Sequence, residues 1–178
     1  MKPINLPIFP LKLVVLPGTI QGLQIFEPRY LNMVKQCMSN ASNFVISYKS
    51  DRFDDFDFGI EKVGTSVKIV DFNNLPNGLL GITVKAESKV SLNNIIQLED
   101  KSYLGEVLPL TEPEVDDQSL LAKYPDLIEV LVKLKEHPEI KTMQLDIDLD
   151  SADSVSYHLG NLIPLTADEK QTLLTAFD

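Results

Sequence analysis

The residue pattern changes character at one place, and that change limits what the chain can fold into. Before Thr111 the sequence is rich in Gly and β-branched residues, set in short runs between turn-forming residues. After it, Leu recurs at the three-and-four spacing of helices. Between them lies Thr111-Glu-Pro-Glu-Val-Asp-Asp117, an acidic, Pro-containing stretch that reads as a linker. The expectation is an α+β chain in two parts, β-rich over residues 1–110 and helical over residues 111–178. Charge divides at the same boundary. The 178 residues carry 16 Lys+Arg and 26 Asp+Glu, a net charge of −10. Residues 1–110 hold 11 of each sign, and residues 111–178 hold 5 basic against 15 acidic.

This balance argues against nucleic acid and anionic membrane as partners, because both reward clustered Lys/Arg. A chain of this length buries roughly two-thirds of its unfolded surface and needs no covalent staples. Cys37 is the only cysteine, which excludes an internal disulfide framework and any multi-cysteine zinc site. Pro3, Pro7, Pro10 and Pro17 interrupt the start of the chain, where the longest apolar run is Leu13–Leu16. A signal peptide needs a longer apolar core, and a membrane span needs about 20 apolar residues. With one cysteine and neither segment, the expected compartment is the cytoplasm.

Local patterns predict the elements. Leu6–Leu11 carries closely spaced prolines, which cannot donate to a ladder, and reads as an edge strand or an extended entry segment. Leu13–Leu16 reads as a short strand ended by the turn Pro17-Gly18, with Ile20–Phe26 returning. Pro28 suits a first helical position, and Tyr30, Leu31, Val34, Cys37 and Met38 follow at helical spacing. Strands are then expected at Phe44–Tyr48, Ile60–Phe72, Leu79–Ala86, Lys89–Leu98 and Tyr103–Leu110, with a tight turn at Asn77-Gly78. Seven or so short strands and one helix suggest a small closed or half-open barrel. Beyond the linker, Asp116 and Asp117 suit a helix start, and Leu127, Ile128, Leu131 and Leu134 make a stripe ended by His137-Pro138. Further helices are expected from about Asp150 or Ser151 to Pro164, and from the capping box Thr166-Ala-Asp-Glu169.

The chemistry-bearing residues have mostly structural readings. Asp146, Asp148 and Asp150 imitate the first half of a calcium loop, but Ser151 and Tyr157 stand where such a loop needs Gly and Glu. Cys37 lies on an apolar helix face, where an inert thiol is the usual case, so pairing with His137 or His158 is disfavoured. No phosphate loop, dinucleotide fingerprint, zinc-protease helix or nucleophile elbow occurs. No catalytic, cofactor or metal residue is therefore assigned. Phe53, Phe56 and Phe58 stand among Asp51, Arg52, Asp54, Asp55 and Asp57, either tucked into the barrel rim or offered to a partner chain.

Three blocks resemble the opening of the Lon protease N-terminal domain family: Leu6-Pro-Ile-Phe-Pro-Leu11, Val14-Val-Leu-Pro-Gly18 and Ile25-Phe-Glu-Pro-Arg-Tyr30. Val63-Gly-Thr65, Asn77-Gly78, Tyr103–Leu110 and Leu162–Gln171 continue the similarity in order. The resemblance implies a PUA-like β-rich pseudo-barrel with one helix, followed by a small C-terminal helical bundle. It also implies a stand-alone substrate-recognition module without ATPase or peptidase parts. Many family members place Gly and Arg where this chain has Lys85-Ala-Glu-Ser-Lys89, so a surface there is expected to differ. Pro10, Pro17, Gly18, Glu27, Pro28, Arg29 and Tyr30 are read as fold-specifying, with Glu27 and Arg29 able to pair at the helix start.

The leading expectation is a non-catalytic module that binds polypeptide, with no cofactor, no nucleic acid and no membrane, a weak homo-oligomer being left open. The alternatives are a small hydrolase using scattered carboxylates such as Asp54, Asp55 or Glu106, and RNA binding through the barrel, which the charge disfavours.

Overall fold

A computed structural model of the chain describes residues 2–50, 57–111, 113, 116–143 and 145–176. Strand β1 (Ile4–Leu11) contains Pro7 and Pro10, yet it is not an edge. Its first half, Ile4–Ile8, pairs antiparallel with β6 (Tyr103–Pro109). Its second half, Ile8–Leu11, pairs parallel with β3 (Phe44–Tyr48). Only Ile8 is paired on both sides. Each proline thus sits where a single ladder runs, so its missing N–H need not break a bond.

Gly78 adopts a φ of 80°, which an L side chain rarely tolerates. It turns β4 (Val63–Asn74) back into β5 (Leu80–Gln97). The sequence suggested two strands over this second stretch, but β5 is one strand of 18 residues. Its length gives it two partners on one edge: β2 (Ile20–Ile25) along Leu80–Lys85 and β6 along Val90–Gln97. β4 occupies the other edge. The ladders β5–β4–β3–β1–β6 return to β5 and close a ring, with β2 attached outside it. The sheet has six strands because Leu13–Leu16 joins no ladder. Val14, Val15 and Leu16 are nevertheless buried. Side chains take over the ladder's role there: the Thr65 hydroxyl donates to the Val15 carbonyl and the Thr19 hydroxyl to the Leu16 carbonyl, both at 2.6 Å.

Helix α1 (Pro28–Asn40) starts with proline at its first turn and ends at Ala41, whose φ is 49°. Tyr30, Met33, Val34 and Cys37 pack with Phe9, Ile25, Phe44, Ile46 and Val67 in the main core. Burial of each large apolar side chain there contributes about 1.5–3 kcal/mol. Leu31 and Met38, expected on the same face, are exposed.

Beyond β6 the chain is helical. Asp116 caps α2 (Asp117–Leu121) by accepting from Ser119 N–H at 3.2 Å. Prolines open α3 (Pro125–Lys135) and α4 (Pro138–Lys141), Ser151 caps α5 (Ala152–Leu162), and Thr166 with Glu169 forms a capping box for α6 (Ala167–Thr175). Leu131 is fully buried with Ile147, Val155 and Leu159, whereas Leu127, expected in the same stripe, is 46% exposed. Tyr157 and Leu174 meet Val14 and Leu16 of the strand-rich part. Lys89 is buried and donates to the Ala176 carbonyl at 3.1 Å, so the stretch where the family pattern departs fastens the end of α6. Gln171 adds a bond to the Val63 carbonyl at 3.0 Å. Among the described residues, no helix is long and apolar enough to cross a membrane.

Candidate binding groove

Although the ladders close, the strands differ in length, and the second half of β1 extends past the start of β6. β2 and β6 lie along the same edge of β5. β6 goes on to pair with the first half of β1, but β2 pairs with β5 alone. β6 begins at Tyr103, opposite Ile8, so among the described residues no strand flanks the second half of β1 on that side. A cavity of about 340 Å³ opens between these two strand margins. Phe9, Pro10, Leu11 and Lys12 form one wall, and Gln24, Ile25 and Phe26 the other. Glu27, Arg29 and Tyr30 from the start of α1 close an end, together with Lys49 and Tyr103.

Backbone polarity in both walls can be read from alternation. Leu11 O accepts from Lys49 N at 2.8 Å, so Leu11 serves the β3 ladder and Pro10 turns its carbonyl the other way. Ala86 N donates to Thr19 O at 2.9 Å, which makes Thr19, Gln21, Leu23 and Ile25 the β5-bonded series. Ile20, Gly22 and Gln24 therefore direct their peptide groups to the open edge. Gln21 Nε2 donates to the Gly22 carbonyl at 2.9 Å from the same strand.

Arg29 organises the closed end. Its guanidinium lies 2.6 Å from the Glu27 carboxylate, donates to the Lys101 carbonyl at 2.8 Å and sits 4.8 Å from the centre of the Tyr30 ring. Its Nε is buried with no hydrogen-bond partner among the described residues. Burial pushes the Tyr30 hydroxyl up to about 12, against the opposing pull of Arg29, so it stays protonated at neutral pH. Tyr30 stacks 4.2 Å from Phe9, which gives the groove a rigid aromatic floor. Lys49 has no ion-pair partner among the described residues. The N-terminus of α1 adds the positive end of a helix dipole.

Of the residues singled out in the sequence, Pro10, Glu27, Arg29 and Tyr30 line this groove, and Pro28 opens the helix behind it. Pro17 and Gly18 lie elsewhere, on a cavity between the strands and α5. Phe58 is 41% exposed and its ring stands 5.3 Å from that of Tyr103, beside the groove. Phe53, Phe56, Asp54 and Asp55 lie outside the described residues. Lys12, Gln24, Phe26 and Lys49 were not singled out. Phe26 is 65% exposed directly before Glu27-Pro28, and it stood within the block Ile25–Tyr30 without being picked out.

The other candidates have local roles. Cys37 is buried and its thiol pKa is raised by that burial, which disfavours thiolate chemistry. His158 is buried with Nδ1 at 2.8 Å from the Ser154 carbonyl, and His137 is exposed at the start of α4. Glu106 accepts from Asn94 at 2.8 Å. Asp148 accepts from the Asp150 N–H at 3.0 Å, as in a turn. Among the described residues, no group of three His, Cys, Asp or Glu side chains could hold a metal ion.

A family profile described as the ATP-dependent protease La (LON) substrate-binding domain matches residues 5–178. The chain is 24% identical to a Lon protease of Solibacter usitatus over 183 residues, covering 98% of this chain and 22% of that protein. It is 28% identical to Lon protease 1 of Thermus thermophilus over 194 residues, covering 96% of this chain and 22% of that protein. The chain thus spans about a fifth of these relatives' length. Among solved structures, a Lon N-terminal domain protein from Xanthomonas campestris superposes with a TM-score of 0.74 at 28% identity, covering 98% of this chain and 92% of that one. The N-terminal domain of a Mycobacterium avium complex Lon protease shares the fold, with a TM-score of 0.73 at 19% identity over 98% of this chain and 91% of that one.

Proposed function

Because the chain belongs to the Lon substrate-binding domain family, we propose that it binds polypeptide, through the groove between β2 and the second half of β1. One observation carries the reading: an aromatic-floored cavity of about 340 Å³ lies between two strand margins that pair with no further strand among the described residues. Extended polypeptide supplies what such a site lacks, main-chain partners for the margins and side chains for the cavity. Phe26 and Phe58 supply apolar area at its rim. The module acts by binding, without a reaction of its own. Residues 1–110 carry the binding surface, and residues 111–178 brace it and keep it dispersed by charge. A cytoplasmic setting belongs to the same reading, since the single cysteine is buried and forms no disulfide.

The test is a titration of the isotopically labelled full chain with a reduced, alkylated and permanently unfolded protein. Shift changes concentrated at residues 9–12, 24–30, 49 and 103 are expected, and Phe26→Asp should abolish them with the strands intact. No saturable change up to about 1 mM, the weak end of specific binding, would overturn the reading.

A further inference from the structure

The groove has a shape and a charge that together narrow its occupant. We infer that it receives the C-terminal end of an extended chain, which adds as a strand to β2 and places its terminal carboxylate beside Lys49 and Arg29. This inference rests on polypeptide binding at the groove and goes further by naming the end of the chain, its direction and its anchor.

Exposed strands in natural proteins are blunted by charge, proline or bulges. β2 (Ile20-Gln-Gly-Leu-Gln-Ile25) has no charge and no proline, and it pairs with β5 without a register shift. An added Cβ on Gly22 would meet nothing within 4 Å, so the sheet face above the edge is open, and an incoming strand would displace the Gln21 amide from the Gly22 carbonyl. Across the gap, Pro10 presents a carbonyl and no N–H. An inserted strand would therefore hydrogen-bond mainly along β2 and use the β1 side for packing on Phe9 and Leu11.

Charge then sets the direction. Among the groove's lining residues, Lys12, Lys49 and Arg29 are basic and Glu27 alone is acidic. Arg29 and Glu27 lie past Ile25, where β2 ends and α1 begins, and Lys49 lies across the groove beside Leu11. Arg29 Nε is a buried donor with no partner among the described residues, a costly arrangement unless a ligand acceptor completes it. A strand whose carboxylate reaches this end runs parallel to β2. A polyanion is the poorer fit, because the chain as a whole carries −10 and the groove's floor is aromatic.

The probe is a fluorescein-labelled octapeptide of alternating Val and Thr that ends in Leu with a free carboxylate, measured by anisotropy on the full chain. Its C-terminal amide should bind at least roughly tenfold more weakly, the scale of a lost hydrogen bond to a charged group. N-methylation of alternate peptide nitrogens should weaken it comparably, with no change to the protein. Lys49→Gln should bring acid and amide close to equal affinity, with circular dichroism reporting an intact fold. Equal binding of acid and amide to the unaltered chain would overturn this inference and leave polypeptide binding standing. If neither peptide nor the unfolded protein binds, both readings fall. A single-stranded RNA oligomer that displaces the peptide at physiological salt would overturn the assignment. So would a doubling of sedimenting mass that Gly22→Pro abolishes, since a second copy would then hold the edge.

Discussion

The strand-rich part and the helical part are held together in different ways. In the first, five ladders form a closed ring, hairpins joining β4, β5 and β6 while β1 pairs with β3 and with the distant β6. Phe44, Val45, Val67 and Val84 reach 0% exposure inside it. In the second, helices of 4 to 11 residues are held by caps, prolines and a small cluster around Leu131. Tyr124, Leu127, Val130 and Val132 remain exposed there. Ring closure makes order cooperative, whereas short capped helices depend on the surface they lie against. The proposed groove lies beside the second half of β1, where among the described residues no strand continues past Tyr103 of β6.

Four substitutions test whether the two parts are held as differently as this. The largest effect belongs to Phe44→Ala, expected to cost about 3–5 kcal/mol and to lower the denaturation midpoint of strands and helices together. Next comes Leu131→Ala, at about 2–4 kcal/mol, with a sharper signature. Amide exchange should rise across α2, α3 and α5 while β3 to β6 stay protected. Loss of strand protection would mean that the two parts unfold as one unit, and the contrast would fail. Leu127→Ala serves as its control and should stay within about 0.5 kcal/mol, because that side chain is half in water. Thr166→Ala removes the α6 cap and should cost about 1 kcal/mol, read from chemical denaturation.

The smallest effect is a pH dependence of the same cap. The Thr166 N–H, and then its hydroxyl, hold the Glu169 carboxyl below the usual carboxylate range. A depressed folded-state value means the contribution is complete above the ordinary glutamate pKa and is lost as pH falls through the folded value. Amide exchange at the start of α6 should therefore quicken in acid, and Glu169→Gln should flatten that response. An unchanged pH profile in the variant would assign the effect to another group.

Much of the secondary structure was legible because its causes are local. Asn77-Gly78 turns the chain through a left-handed glycine, Pro28 opens α1, and Thr166 with Glu169 caps α6 within four residues of sequence. The misreadings share the opposite cause. Leu13–Leu16 has a strand's composition, but it found side-chain partners in Thr65 and a place in two cores instead of a ladder. The two strands expected over Leu79–Leu98 are one because β2 and β6 share its edge end to end. Leu127 obeys the helical spacing and still faces water, since periodicity marks a face without saying whether anything covers it.

The candidate site divides in the same way. Pro10, Glu27, Arg29 and Tyr30 stood out as a motif, and the local roles of the last three at the helix start could be named from sequence. Their convergence with Lys49 and Tyr103 depended on where β6 begins relative to Ile8, a register set by long-range pairing. By itself the sequence determined the change from strands to helices near Thr111, the caps and turns, and the unequal distribution of charge, because each arises within a few residues. Long-range packing set the rest: β1 closes the ring against β6 and β3, Lys89 is buried against the end of α6, and β2 pairs with β5 alone beside a groove. Those outcomes depend on strand lengths and registers over tens of residues, and no local window of sequence contains them.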